Sequence, residues 1–473
     1  MRLGRRAITG LAGAAILALG LTAAGAGPAG ARARHAAVVP TNVNISRFHG
    51  NQSETALAIQ RTNPQNITAT SNIDTGSGLF HGWSTDGGAT WSTDVIANGD
   101  PLGSACCDSQ MAADEFGNIF LVYIDDASSS VKVALSTNGG ASFQPQGQLT
   151  PNGSVPAAAL RGGKLPNGDQ PSIAAAEGEV WSSWTSFSSG KIQASGAPVT
   201  GLGQVGAFIP AETAVGHATG DYGDTVIGPN GEVGLVYQDP TGGEGPATIY
   251  MALDPDGLGP TKLLQSKPLL STNVGGFDYI PAQAGRSVDA ESAFAWDRTG
   301  GAHNGRLYLM WTSEQPQESN NMDINVQYSD DMGATWSTSV KVNNDSTPAS
   351  QFNPRMSLDQ TTGNVAVSWY DCRNDSGNHG PGDTNGIKND DALIYAAVSK
   401  NGGVSFGQNF RVGAGVSNSA DAANGIDYGD YEGMDFYGGN FYPVWADNSN
   451  STGDNPDGKL HQLDIYTAKI HVA

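Results

Sequence analysis

One eight-residue motif occurs four times in this chain, and its recurrence restricts the fold more than any other feature of the sequence. The first copy is Ser84-Thr85-Asp86-Gly87-Gly88-Ala89-Thr90-Trp91, and the others span 136–143, 329–336 and 399–406. Two copies carry Asp and Trp; two carry Asn and Phe. A short carboxylate or amide accepts hydrogen bonds from nearby turn amides, and the glycine two residues on takes positive φ without steric cost. Each copy is therefore a tight hairpin. The runs that precede it (79–83, 131–135, 324–328 and 393–398) are rich in strand-forming residues. The ring that closes each copy is left to pack beneath its turn.

The pattern resembles the Asp box, Ser-x-Asp-x-Gly-x-Thr-Trp, of sialidases and other sialidase-like β-propellers. The resemblance implies an all-β propeller covering nearly all of the chain after its leader, with each box between the third and fourth strands of a blade, on the face away from the active site. A calcium loop is the functional alternative for the boxes, but no copy has the acidic ligand density or closing Glu of an EF-hand.

Residues 1–33 read as a signal peptide. Arg2, Arg5 and Arg6 precede an apolar run ending at Leu21, and Ala31-Arg32-Ala33 offers small residues for cleavage. Arg5-Arg6 also fits a twin-arginine signal loosely. No cysteine follows the run to carry a lipid, and no later segment is apolar enough to be a membrane span. A secreted, extracellular, monomeric product is expected, with residues 34–473 as one propeller domain. Removing the leader leaves 20 bases against 46 acids. A chain this acidic repels nucleic acid and anionic membranes. Of the three cysteines, Cys106 and Cys107 can form an adjacent-residue disulfide or remain thiols, with Cys372 far off in sequence.

A unit repeats about seven times: an inner strand opening on acidic or amide residues, a Gly/Asn turn, an apolar strand, a third strand and often the box. The openings fall at Glu54, Asp108, Asp169, 221–224, 289–291, Asn353 and 427–430. The last unit has three strands, and residues 41–45 offer one strand without a blade. Pairing 41–45 with 463–470 closes the ring and removes the exposed sheet edges. Six blades, the number in true sialidases, is the alternative. The Gly/Pro/Asn-rich stretches 151–168, 255–286, 374–391 and 448–459 read as surface loops.

Inner-strand starts and second-strand ends share one face of a propeller, which gives an acidic funnel here. Glu54, Asp108, Asp169, Asp224, Glu291 and Asp430 come from the starts; Asp125, Asp126, Asp239, Glu314, Asp371 and Asp447 come from the ends. A glycosidase needs a carboxylic acid and a carboxylate or other nucleophile across the scissile bond, and the resemblance implies a tyrosine nucleophile. Asp108, Asp169, Glu291, Tyr222 and Asp371 are the catalytic candidates. Arg355, Arg373, Glu54 and Asp430 are the substrate-binding candidates, with Arg286 as a further arginine. The chain lacks the Tyr/Phe-Arg-Ile-Pro motif that supplies one of the three carboxylate-binding arginines in true sialidases, and ion pairing to rim acids is the competing role for Arg355 and Arg373.

The expected partner is a glycan or polysaccharide, and the expected activity an exo-sialidase-like glycoside hydrolase. A non-catalytic glycan- or protein-binding propeller is the alternative, and a polysaccharide lyase using His or Tyr as base is a second. His81, His217, His303 and His379 are scattered. No cofactor is required; the Asp/Asn-rich stretches 371–391 and 447–464 offer oxygen ligands for Ca2+.

Overall fold

Every repeated unit folds into a four-stranded antiparallel blade, and there are seven. In the first, Gln52–Ile59, Ile67–Ile73, Leu79–Ser84 and Ser92–Ile96 pair in sequence order. The inner strands of blades two to seven are Gly103–Ala113, Gly168–Ala176, Asp221–Ile227, Ala293–Trp296, Gln351–Leu358 and Gly433–Tyr437. The computed structural model describes residues 39–126, 130–150, 153–155, 168–216, 219–263, 265–422 and 426–473. Val39–Ala473 forms one compact unit. The expected signal peptide, His217 and most of the stretch 151–168 lie outside the described residues. Among the described residues there is no α-helix, and so no helix long and apolar enough to cross a membrane.

Ring closure follows the expected pairing. Asn42–Asn44 lies antiparallel to Asp464–Ala468, with Asn42 opposite Ala468 and Asn44 opposite Tyr466. The N-terminal strand thus becomes the outer strand of blade seven, and the six-blade alternative is set aside.

Side-chain size follows radial position. The inner strands converge on the axis, and they carry Ala56, Ala58, Ala112, Ala113, Ala174, Ala175, Ala293 and Ala295. Farther out the blades splay, and Trp181, Trp369 and Trp445 on second strands fill the wedges, each at most 1% exposed. Truncating a ring buried this way costs about 3–5 kcal/mol, because a rigid wedge cannot collapse around the hole.

The repeated hairpins join third to fourth strands. In the first, Gly88 N donates to Ser84 Oγ (2.9 Å), while Thr90 N and Thr90 Oγ1 donate to the two Asp86 oxygens (2.9 and 2.6 Å). These bonds hold the Asp86 carboxyl at about 2, with Thr90 the largest cause. Ser329, Asp331 and Thr335 repeat the geometry. Ser84 stands opposite Ile67, at the blade end away from the Gln52–Ile73 pair, so the hairpins lie on the face opposite the funnel.

The structure revises one expectation about loops and decides between the two readings of the cysteines. Residues 255–286 are not all surface loop: they contain Lys267–Thr272, the fourth strand of blade four, and most of a hairpin, Asp278–Ile280 paired with Gln283–Val288. Cys106 and Cys107 are disulfide-bonded, and Cys372 is a buried free thiol.

Candidate active site

The acidic openings coincide with one repeated backbone device. Pairing between first and second strands breaks register at Ser53/Ala56, Cys107/Gln110, Asp169/Ser172, Asp221/Asp224 and Phe352/Arg355. In each break two inner-strand residues face one partner residue, which is a β-bulge. Blade five has the same offset, since Ala290 O accepts from Thr312 N while Ala293 pairs with Met310. The first bulged residue is left-handed in all six blades: Glu54 (φ 55°), Asp108 (58°), Gln170 (43°), Tyr222 (53°), Glu291 (42°) and Asn353 (44°). Glycine is the ordinary occupant of such a position, and a residue with a Cβ there costs of order 1–3 kcal/mol. Here a polar or ionisable side chain takes that place at the funnel end of six blades.

Several of these side chains then cap the next blade. Asn72 bridges blades one and two: its Nδ2 donates to Glu54, and its Oδ1 accepts Asp108 N (3.1 Å). Asp108 Oδ2 accepts Gln170 N (3.1 Å), and Gln170 Oε1 accepts Tyr222 N (3.1 Å). Glu54 Oε1 accepts Asp430 N (3.2 Å), closing back from blade seven. Gly429 precedes that amide at φ 88°, where a Cβ would overlap Glu54 Cγ. Glu54 and Asp108, expected in substrate binding and catalysis respectively, therefore hold neighbouring blades together.

A recess of about 40 Å³ lies on the axis, lined by Gln110, Gln170, Tyr222, Asp224, Glu291, Arg355 and Asp430 among others. Gln110, Asp224 and Arg355 also line a deeper axial cavity of about 160 Å³, so they form the throat between the two. The structure thus brings Tyr222, Glu291, Arg355 and Asp430 to one place. It does not bring Asp371 or Arg373. Asp371 is 1% exposed and bound by Trp369 Nε1 (2.6 Å) and by Arg373, whose guanidinium also covers the Tyr395 ring. This pair braces the blade-six loop and is absent from the recess wall.

The arginines divide by partner. Arg286, carried on the hairpin between blades four and five, grips Asp430 with Nε (2.6 Å to Oδ1) and Nη2. The Asp427 carboxylate accepts Gly285 N and Arg286 N, so the hairpin is anchored to the segment that opens blade seven. Asp430 is therefore committed to Arg286. Arg355 behaves otherwise and departs from the expectation of pairing: its only protein hydrogen bond among the described residues is a long one to Gln110 (3.5 Å), and no carboxylate lies within ion-pair distance. Its planar fork is open to the recess.

Burial raises the acids of this cluster. Glu54 is pushed up to about 7, by burial first and then by Asp430. Asp108 and Asp289 rise well above the usual carboxylate range, and Asp221 to about 6, all with burial as the main cause. Burial also raises the Asp169 carboxyl, and the neighbouring Glu54 and Asp169 add to the rise at Asp108. Glu291 is pushed up to about 8 by burial, opposed by Arg355 and reinforced by Asp430 and Asp224. Only its backbone N–H is engaged, by Asp289; its carboxyl hydrogen-bonds no described residue. Burial also raises the Tyr222 phenol strongly, followed by Asp289, Asp430 and Asp221, which keeps it protonated and disfavours the nucleophile role expected from the resemblance.

Sequence reasoning missed Gln170, Gln110 and the hairpin aromatics. Phe277 packs edge-on to Tyr222 (6.1 Å between centroids), and both Phe277 and Tyr279 are about half exposed. The signal for Gln170 was its place before Pro171 at a unit opening; the aromatics lay in a glycine-rich stretch read as loop. No histidine among the described residues lines the recess. His81, fully buried, is held between Asp94 (2.7 Å) and Gly140 O (2.8 Å).

No protein-family model and no curated protein matches the chain. Solved structures do resemble it. A protein of unknown function from Dyadobacter fermentans aligns over 92% of this chain and 99% of its own, with 13% identity and a TM-score of 0.45. The GH93 α-L-arabinofuranosidase of Fusarium graminearum aligns over 71% and 93%, with 13% identity and a TM-score of 0.43. Trypanosoma rangeli sialidase aligns over 92% and 60%, with 12% identity and a TM-score of 0.42. The fold is a seven-bladed β-propeller. At this level of likeness the chemistry has to be read from the chain's own residues.

Proposed function

We propose that the protein is a secreted glycoside hydrolase that takes a sugar into the axial recess, with Glu291 as proton donor and Asp224, at the opening of the adjacent blade, as the second carboxylate. The supporting observation is the division of labour among the funnel carboxyls. Glu54, Asp108 and Asp430 are consumed by blade caps or by Arg286, whereas Glu291 lines the recess with its carboxyl unengaged and its proton retained to about 8. A group that keeps its proton at neutral pH and faces open space can protonate a leaving oxygen. Asp224 accepts from Ser172 Oγ (2.8 Å), Thr225 N (2.9 Å) and Phe294 N (3.1 Å), which fixes it as an acceptor in the same recess. Tyr222 and Phe277 offer an apolar wall to a sugar face, and Arg355 offers a bidentate donor.

The test is turnover by the purified mature chain on a panel of aryl glycosides and polysaccharides, beside Glu291→Gln. Loss of the proton donor should lower kcat by roughly 100-fold or more on poor leaving groups and much less on activated ones, and remove a basic limb near pH 8. Absence of turnover on every substrate, with glycan binding retained, would make the funnel a receptor site instead. Export is tested by the N-terminal sequence of the protein recovered outside the cell, expected to begin near residue 34.

A further inference from the structure

Three buried carboxylates sit together in the blade-six loop between Val365–Asp371 and Leu393–Ser399, away from the funnel recess. Asp375, Asp390 and Asp391 are 3%, 5% and 2% exposed, and each presents an oxygen within 4.8 Å of the others. No lysine, arginine or histidine among the described residues pairs with them; Arg373, the nearest arginine in sequence, is spent on Asp371 and Asp345.

Their hydrogen bonds leave one gap. Asp375 takes Gly377 N (3.1 Å) on one oxygen and Asp390 N and Asp391 N (2.9 and 3.1 Å) on the other. Asp391 takes Thr384 Oγ1 (2.6 Å) and Asn418 Nδ2 (3.1 Å) on one oxygen and Thr384 N on the other. Asp390 Oδ2 takes Asn385 Nδ2 (2.8 Å), but Asp390 Oδ1 is sealed from solvent and has no hydrogen-bond partner. A buried carboxylate oxygen with no donor is costly, and two more carboxylates beside it raise that cost. A cation relieves both.

We propose that Asp375, Asp390 and Asp391 bind one Ca2+. The donor set is all oxygen on a loop, which suits a hard cation with adaptable coordination; zinc would call for nitrogen or sulfur ligands, and Mg2+ for near-ideal octahedral geometry. The ion would tie the blade-six loop to the next connection. Asn418 joins Asp391 to that segment, and the neighbouring Ser419 Oγ donates to Ala282 O (2.7 Å) in the hairpin that carries Arg286. The site stands independently of the glycosidase reading.

The experiment uses the full mature chain stripped with EDTA, then titrated with Ca2+ or Mg2+ by calorimetry and followed by thermal melting and hydrogen exchange. The expected result is one Ca2+ per chain, a rise in Tm with Ca2+ that exceeds that with Mg2+, and slowed exchange within 375–391. Asp390→Asn should bind roughly tenfold or more weakly. It should also reverse rank: above wild type in EDTA, where one uncompensated charge is gone, and below it in Ca2+. Neither heat nor melting shift at millimolar Ca2+ overturns the proposal, as does unchanged affinity in Asp390→Asn or a variant less stable than wild type in both buffers. Should the variant fail to fold, wild-type exchange decides: no Ca2+-dependent protection in 375–391 also overturns it.

Discussion

Replacing Glu432 by glutamine should change how the stability of this protein depends on pH. Glu432 is 4% exposed and sits where blades one, six and seven meet. Its Oε2 lies 2.9 Å from Thr55 Oγ1, its Oε1 is bonded to the Tyr370 hydroxyl, and Ala446 N points at the same oxygen (3.3 Å). Each hydroxyl has one proton and a competing acceptor: Val444 O for Thr55 (2.7 Å) and Ala446 O for Tyr370 (2.7 Å). Two hydroxyl protons cannot serve four acceptors, and a protonated Glu432 adds the third. Burial pushes this carboxyl from 4.5 up to about 8. Because the folded value is raised, the stabilisation is fully present below 4.5 and is lost as pH rises through about 8, the folded chain holding a proton that the unfolded chain releases. Between about pH 5.5 and about pH 8.5 the loss is about 3 kcal/mol at about 1.4 kcal/mol per unit. With roughly 2 cal/mol/K of unfolding entropy per residue over the 435 residues of Val39–Ala473, that is about 3 °C in Tm. Glu432→Gln cannot lose a proton. It should begin about 1 kcal/mol less stable at the lower pH, with one amide hydrogen unsatisfied, and then gain on wild type as pH rises. Scanning calorimetry at both pH values measures the crossing. Equal losses in the two proteins would refute the claim that Glu432 folds as the neutral acid.

Two further substitutions test the ring and its hairpins. Asn44→Ala removes the donor to Asp464 Oδ2 (2.5 Å) in the closing strand, which should cost about 2 kcal/mol and speed amide exchange at Asp464–Ala468; unchanged melting and exchange would mean the closure carries little of the stability. Ser84→Ala removes the buried acceptor of Gly88 N (2.9 Å) and should cost about 1–2 kcal/mol in thermal melting while leaving funnel binding untouched, whereas an effect on glycan binding alone would give the hairpins a functional role.

Much of the fold was legible because its signals are local. The hairpin motif marks one end of a blade by side chains bonding their own turn, as Ser84, Asp86 and Thr90 do. The unit openings mark the other end, because polar residues stand at each bulge. Glu291 was legible as an acid at an opening. Its availability was not, since that depends on Asp430 being occupied by Arg286, 144 residues away in sequence. Asp371 was misread for the same reason: an acid at a strand end looks alike whether it faces the axis or an arginine two residues on. Phe277 escaped because glycine-rich sequence around a hairpin carries the same composition as a loop.

The sequence alone determined the repeat, the strand order within each blade and the pairing of the two chain ends, because these follow from short-range turn chemistry and from the need to leave no open sheet edge. Only the tertiary structure decided which acids cap a neighbouring blade, which arginine keeps its fork open, and which oxygen at Asp390 is buried without a donor. Hydrogen-bond partners at the axis come from blades far apart in the chain, so a side chain's role there is set by what the adjacent blade presents to it, and no local pattern records that.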